Sequence, residues 1–248
     1  MQSTIKHRDL TLTPLPAGTL VVACDSCGAV GAKPDDVLQI PAYYTGRFTA
    51  RVALMEVLAF GARPVTVVDA ISCEMEPTGQ EILRGVRDEL AAAGVDLDLL
   101  TGSTEENFPT KMTGLGITVV GWIPTGPDFC PSRAGDPVYC IGTPQVGGAV
   151  TLENNEAIAS YADLTALRKL DGLRELVPTG SHGIRWEVEN LAAYNGLRFL
   201  AEPELSLDLD QSTGPATCLV AVVDPDCQTA VEALPRAKKI GILCSLER

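Results

Sequence analysis

The chain has 248 residues, 46% of them hydrophobic and 21% charged, enough for a sizeable core and about the length of two compact domains. Its net charge of −13 has the wrong sign for a nucleic acid or an anionic membrane, and 5% aromatics offer little surface for stacking bases. With no charged-then-apolar leader and no long apolar run, a cytoplasmic protein without a membrane partner is expected.

Residues 1–18 are polar and contain Pro14 and Pro16, which suits an arm or an edge segment. Thr19-Leu-Val-Val-Ala-Cys24 reads as a buried strand ending at Asp25. The Gly-, Pro- and Asp-rich stretch 26–45 reads as loop, with a short strand at 37–40. From Arg47 to Phe60 the apolar spacing is helical, stopped by Gly61 and Pro64. Pro64–Asp69 is a strand, and Thr78-x-x-Glu81 forms the pattern of a capping box for a helix through Ala93. Strands follow at 95–101 and 115–123, the first running into Thr101-Gly-Ser-Thr-Glu-Glu106. Residues 124–136 are the best linker, which sets domains at 1–125 and 126–248. The second half reads as a strand at 137–142, helices at 154–172, 183–195 and 226–235, and strands at 216–223 and 238–244.

Eight scattered cysteines include one close pair, Cys24-x-x-Cys27. With no second pair and two histidines, the pattern does not make a zinc site, and the cysteines read as reduced small hydrophobes. Acidic residues recur at the ends of apolar strands instead: Asp25, Asp69, and Glu105 with Glu106. Taken singly, each is a turn former or cap. Taken together at converging strand ends beside small residues, they suit a Mg²⁺ ion shared with phosphate oxygens. Neither a Walker A loop nor a G-x-G-x-x-G turn is present to explain phosphate binding otherwise.

The segment Gly61-Ala-Arg-Pro…Asp69, preceded by a helix, resembles the Gly-Ala-x-Pro…Asp segment of the aminoimidazole ribonucleotide synthetase-like, or PurM-like, superfamily. Asp25-Ser-Cys-Gly28 is similar to its early Asp-x-x-Gly segment. Thr101–Thr104 stands where the superfamily has Gly-Gly-acid-Thr, and Glu56 falls at the acid of a helix motif. The resemblance implies an α/β N-terminal domain that pairs through its sheet into a homodimer, an α+β C-terminal domain, and bound MgATP. Gly-Ser-Thr-Glu-Glu-Asn, Ala-Leu-Met-Glu and Gly-Ser-His-Gly-Ile together look most like α-ribazole kinase, which implies phosphorylation of a small nucleoside-like substrate, α-ribazole. Other ATP-dependent members of the superfamily, or a nucleotide-binding regulator without activity, are the alternatives.

On that reading Asp25, Glu56 and Asp69 hold Mg²⁺, while Gly28, Gly102, Ser103 and Thr104 contact the nucleotide. One of Asp69, Glu105 or Glu106 orients or deprotonates the attacking hydroxyl. Lys111 reaches the transferred phosphoryl group or is a plain surface lysine. Ser181, His182 and Arg185, at a helix start, bind substrate or phosphate, with an ordinary Ser181 cap as the other reading. Ser103 departs from the acid of the family motif, and Glu105 or Glu106 is the proposed replacement.

Overall fold

The computed structural model describes residues 3–124, 126, 130–150 and 155–246. The chain divides into two compact units, Met1–Pro127 and Asp128–Arg248. Parts of the expected linker (125 and 127–129) and of the expected helix at 154–172 (residue 154) lie outside the described residues.

In the first unit the strands are β1 (Ile5–His7), β2 (Leu10–Leu15), β3 (Gly18–Gly28) and a small parallel pair, β4 (Val30–Gly31) with β5 (Leu38–Gln39). They are followed by helix α1 (Ala42–Ala59), β6 (Arg63–Ile71), helix α2 (Gln80–Ala92), β7 (Leu100–Thr104) and β8 (Gly114–Ile123). Six strands form one sheet in the order β1-β2-β3-β8-β6-β7. The residues 1–18 expected as an arm or edge thus contribute two strands at the sheet's edge, with Leu10 and Leu12 fully buried.

Alternation explains the layering. Val21 and Ala23 of β3, Val67 and Ile71 of β6, and Ile117 and Val119 of β8 are buried on the helix-covered face. Leu20, Val22, Val68, Val120 and Trp122 point to the other face and remain half-exposed. Helix α1 lies on β3, β8 and β6 and packs against α2. It begins five residues before the apolar spacing predicts, because Gly46 serves close packing and does not mark a loop. A β-carbon there would sit 2.1 Å from the carbonyl oxygen of Ile82, and one on Gly85 would sit 2.0 Å from that of Tyr43. The two helices cross where neither has a side chain. Arg47 and Arg51 reach across the same crossing to buried Glu89, at 2.6 and 3.6 Å. Ile82, Val86 and Leu90 of α2 are fully buried, each contributing about 1.5–3 kcal/mol.

Two local expectations change. Thr78 does not cap α2: its hydroxyl donates to Glu74 at 2.5 Å, and Glu81 pairs with Arg84 on the surface. A wide turn at Met75–Gly79 therefore precedes the helix. Residues 97–99 form a 3₁₀ turn, and the strand expected at 95–101 is β7, so Thr101–Thr104 is the strand itself and not a turn leaving it.

The second unit contains β9 (Pro137–Ile141), α3 (Tyr161–Arg168), β10 (Leu173–Pro178), α4 (Gly183–Tyr194), β11 (Leu197–Ala201), β12 (Leu219–Val223), α5 (Gln228–Glu232) and β13 (Ala237–Ser245). Its five strands, in the order β10-β12-β9-β13-β11, pair antiparallel throughout. Val138, Cys140, Val220 and Val222 meet Ile184, Val188 and Leu191 of α4 in one core. The other face of β9 carries Tyr139, whose hydroxyl donates to Glu232 of α5 at 2.9 Å. Both faces of β9 are covered, so all five of its residues are buried. Among the described residues no helix is long and apolar enough to cross a membrane.

His7, at the end of β1, packs its ring 5.5 Å from that of Phe60. Burial, aided by the Arg8 charge, pushes its pKa down to about 4. The folded protein therefore keeps a neutral imidazole where the unfolded chain takes up a proton below its ordinary value near 6.5. Stability linked to His7 is present above pH ~6.5 and is lost as pH falls towards 4. Replacing His7 by Asn should flatten the acid limb of a melting-temperature profile between pH 6.5 and 4. An unchanged slope would show that His7 is not its source.

Candidate active site

Strand register assembles the core of the site. Asp25 of β3 pairs with Ile117 of β8, Ile117 pairs with Asp69 of β6, and Asp69 pairs with Gly102 of β7. The four residues form one row on the helix-covered face. Asp25 and Asp69 thus lie within strands, not at strand ends as the sequence suggests, because β3 runs on to Gly28 and β6 to Ile71.

Asp69 is 4% exposed. Its carboxylate fills the space beside Gly102: a β-carbon on residue 102 would lie 2.1–2.2 Å from the carboxylate atoms. Burial raises the Asp69 pKa, opposed by its own backbone N–H and then by the charge of Arg87. Asp25, half-buried, is pushed up to about 6, chiefly by desolvation, with Ser26 N–H opposing and Asp9 adding to the shift. Both carboxyls hold protons more tightly than free aspartate and would gain from a cation.

A cleft of about 350 Å³ opens beside Asp69. The strand Leu100–Thr104 forms one wall, Leu83 and Arg87 of α2 another, and Met75 and Leu97 complete it. Leu83 and Arg87 are four residues apart and so lie on one face of α2. Of the predicted residues, the cleft brings together Asp69, Gly102, Ser103 and Thr104. By strand alternation Ser103 pairs with Ala70 and projects to the face opposite Asp69.

The other predicted residues stand apart from the cleft lining. Glu56 is buried on α1. Asp25 is two strands from Asp69, roughly 10 Å between their Cα atoms. Asp25, Glu56 and Asp69 do not form one ligand cage: among the described residues no three of His, Cys, Asp and Glu are placed to hold a metal ion. Oxygen donors still suit Mg²⁺, which uses one or two protein carboxylates with phosphate and water oxygens. Asp69 fits that requirement, with the glycine gap leaving room for its carboxylate.

Glu105 and Glu106 tie down their own loop. Glu105 accepts from Asn107 N–H at 2.6 Å, while Glu106 accepts from Met75 N–H at 2.9 Å and Thr104 Oγ1 at 3.0 Å. Gly28 is exposed at the end of β3, with open space where a β-carbon would be. Lys111 is exposed, and its carbonyl accepts from Asp35 N–H.

In the second unit, His182 precedes α4, its ring stacked 4.7 Å from Trp186, and Arg185 pairs with Asp210 at 2.8 Å. Ser181 does not cap this helix; the cap position is His182, with no side-chain hydrogen bond. Cys24 and Cys27 lie three residues apart on one strand, hence on opposite faces, and cannot share a metal ion.

Sequence reasoning missed Arg87, Leu83, Met75, Leu97 and Leu100. Leu83 and Arg87 carried a detectable signal, helical spacing within a helix that was anticipated.

Residues 10–123 match the family model described as AIR synthase related protein, N-terminal domain. No curated protein sequence matches the chain. Solved structures share its fold at low identity. Thiamine-monophosphate kinase from Stenotrophomonas maltophilia is 19% identical, with a TM-score of 0.65 over 98% of this chain and 89% of that one. A complex of AaThiL with AMPPCP and TMP is 12% identical, with a TM-score of 0.67 over 96% and 85%. The hydrogenase maturation protein HypE in complex with ATP is 16% identical, with a TM-score of 0.67 over 94% and 79%. The chain therefore has the PurM-like fold, an α/β unit followed by an α+β unit.

The contact between residues 69 and 102 can be tested directly. Gly102→Ala should cost about 1–3 kcal/mol in urea denaturation by overpacking. Asp69→Ala in the same chain should recover most of that loss, a coupling visible in a double-mutant cycle. Additive effects would mean the two residues do not compete for space.

Proposed function

We propose that this protein is a Mg²⁺- and ATP-dependent kinase that phosphorylates the 5′-hydroxyl of α-ribazole. The observation that carries the reading is the buried Asp69 carboxylate, fitted against Gly102 at the wall of an open cleft. Structures with the same fold have been solved with AMPPCP and with ATP, which supports a nucleotide in this chain. Phosphoryl transfer asks a protein mainly to position reactants and neutralise charge.

Asp69 would hold Mg²⁺, and Asp25, at the other end of the same row, would take a second ion or a water of the first. Bound Mg²⁺ neutralises charge on the phosphate oxygens. Gly102 lets the backbone approach those oxygens, and the hydroxyl of Thr104, on the same face, adds a polar contact beside them. The acceptor hydroxyl attacks the γ-phosphorus, its proton passes to solvent or a carboxylate, and ADP leaves. Glu105 and Glu106 act on loop shape, since their oxygens already accept hydrogen bonds within it. The half-exposed apolar sheet face around Val22, Val68, Val120 and Trp122 supports pairing of two copies into a homodimer.

ATP turnover should be measured with α-ribazole, thiamine monophosphate and formylglycinamidine ribonucleotide as separate acceptors. ADP should form with α-ribazole and Mg²⁺, and Asp69→Asn should cut kcat/KM by about 100-fold or more with an unchanged melting temperature. Full activity in Asp69→Asn would remove the proposed metal ligand. Turnover with a different acceptor alone would replace the substrate. Light scattering should give twice the chain mass, falling to the single-chain mass in Val120→Arg.

A further inference from the structure

The cleft beside Asp69 is also lined by a cation, Arg87. Arg87 is exposed, lines the cleft, and makes no hydrogen bond or ion pair among the described residues. Its neighbours differ in this respect. Arg84 holds Glu81 at 2.6 Å, Arg47 holds Glu89 at 2.6 Å, and Lys33 holds Glu74 at 2.5 Å.

The geometry around it favours an anion. Among the described residues Arg87 is the one cation in the cleft lining, and its charge already acts on Asp69 across the opening. Beside it runs β7, the last strand of its sheet, paired on one side only. Glu105 N–H donates to Ile71 at 3.0 Å, towards β6. Alternation along β7 then turns the N–H groups of Gly102 and Thr104 to the open edge. A guanidinium and edge amides next to a carboxylate suited to Mg²⁺ form a receptor for a metal-bound polyphosphate. A carboxylate ligand would bring no second cation to offset repulsion from Asp69, whereas a phosphate chain brings its own Mg²⁺.

We propose that Arg87 binds the polyphosphate of the nucleotide, donating its guanidinium N–H groups to phosphate oxygens beside Asp69. This rests on the kinase reading for the identity of the ligand, but not for the existence of the anion site. Arg87 lies on the exposed face of α2, away from Ile82, Val86 and Leu90, so replacing it should leave the fold intact.

The test is calorimetric titration of the intact protein with AMPPCP and Mg²⁺. Arg87→Gln should weaken binding by roughly 10- to 100-fold, the range expected for a charge-assisted contact. Arg87→Lys should recover part of it. Arg84→Gln, which removes the same charge from the same helix outside the cleft, should bind like the parent chain. Equal affinity in Arg87→Gln, equal loss in Arg84→Gln, or no binding to the parent chain would each overturn the inference. Arg87-dependent binding without ADP formation from α-ribazole would retain it and refute the kinase reading instead.

Discussion

The carboxylate of Asp69 occupies the volume that a side chain on Gly102 would need, and the rest of the site depends on that exclusion. A carboxylate 4% exposed on an apolar sheet face is costly unless something offsets the lost hydration. Here the offset is local: the residue's own backbone N–H, the neighbouring charge of Arg87, and a cleft that lets a cation approach. Filling the gap at 102 would force the carboxylate either out of its place or into the strand. The parallel pairing of β6 with β7 matters because it sets Gly102, and neither Thr101 nor Ser103, against Asp69.

The helical layer fixes the opposite wall. α2 approaches α1 closely because Gly46 and Gly85 carry no β-carbons, which would lie 2.1 and 2.0 Å from backbone carbonyl oxygens of the facing helix. Glu89, 1% exposed, joins both arginines of α1 at the same crossing. A buried ionic group of this kind adds little net stability but penalises any register in which it loses its partners. The direction in which Leu83 and Arg87 project follows from that register. Helix packing on the other side of the same turns thus aims the side chains of the cleft.

Long periodic elements were legible in the sequence: β3, β6, β8, α2 and α4 all lie close to where apolar spacing puts them. Failures came where one residue type serves two purposes. Gly46 reads as a loop residue, yet it allows close helix contact, so the start of α1 was placed too late. Thr78 and Glu81 have capping-box spacing, but Glu74, far closer in space than spacing reveals, captures the Thr78 hydroxyl. β10 and β11 were missed because Leu173-Arg-Glu-Leu and Leu197-Arg-Phe-Leu carry as much charge as a helix surface would. At the site, residue types pointed to Asp69 and the Gly102–Thr104 segment, which the cleft does bring together. Asp25 and Glu106 were grouped with them on chemistry and resemblance and Glu56 on resemblance; cross-strand register spaces Asp25 from Asp69, and hydrogen bonds tie Glu106 to its loop.

Strand β7 has a neighbour on one side only, so no further ladder of backbone hydrogen bonds rests on it. Its five residues are small or hydroxylated apart from Leu100, and all five are cleft wall. A substitution at 101, 103 or 104 would change what the cleft recognises while disturbing few other residues, whereas the same change in β8 would disturb strands on both sides. Within one fold, then, the wall of the cleft is also the part of the sheet that a substitution disturbs least.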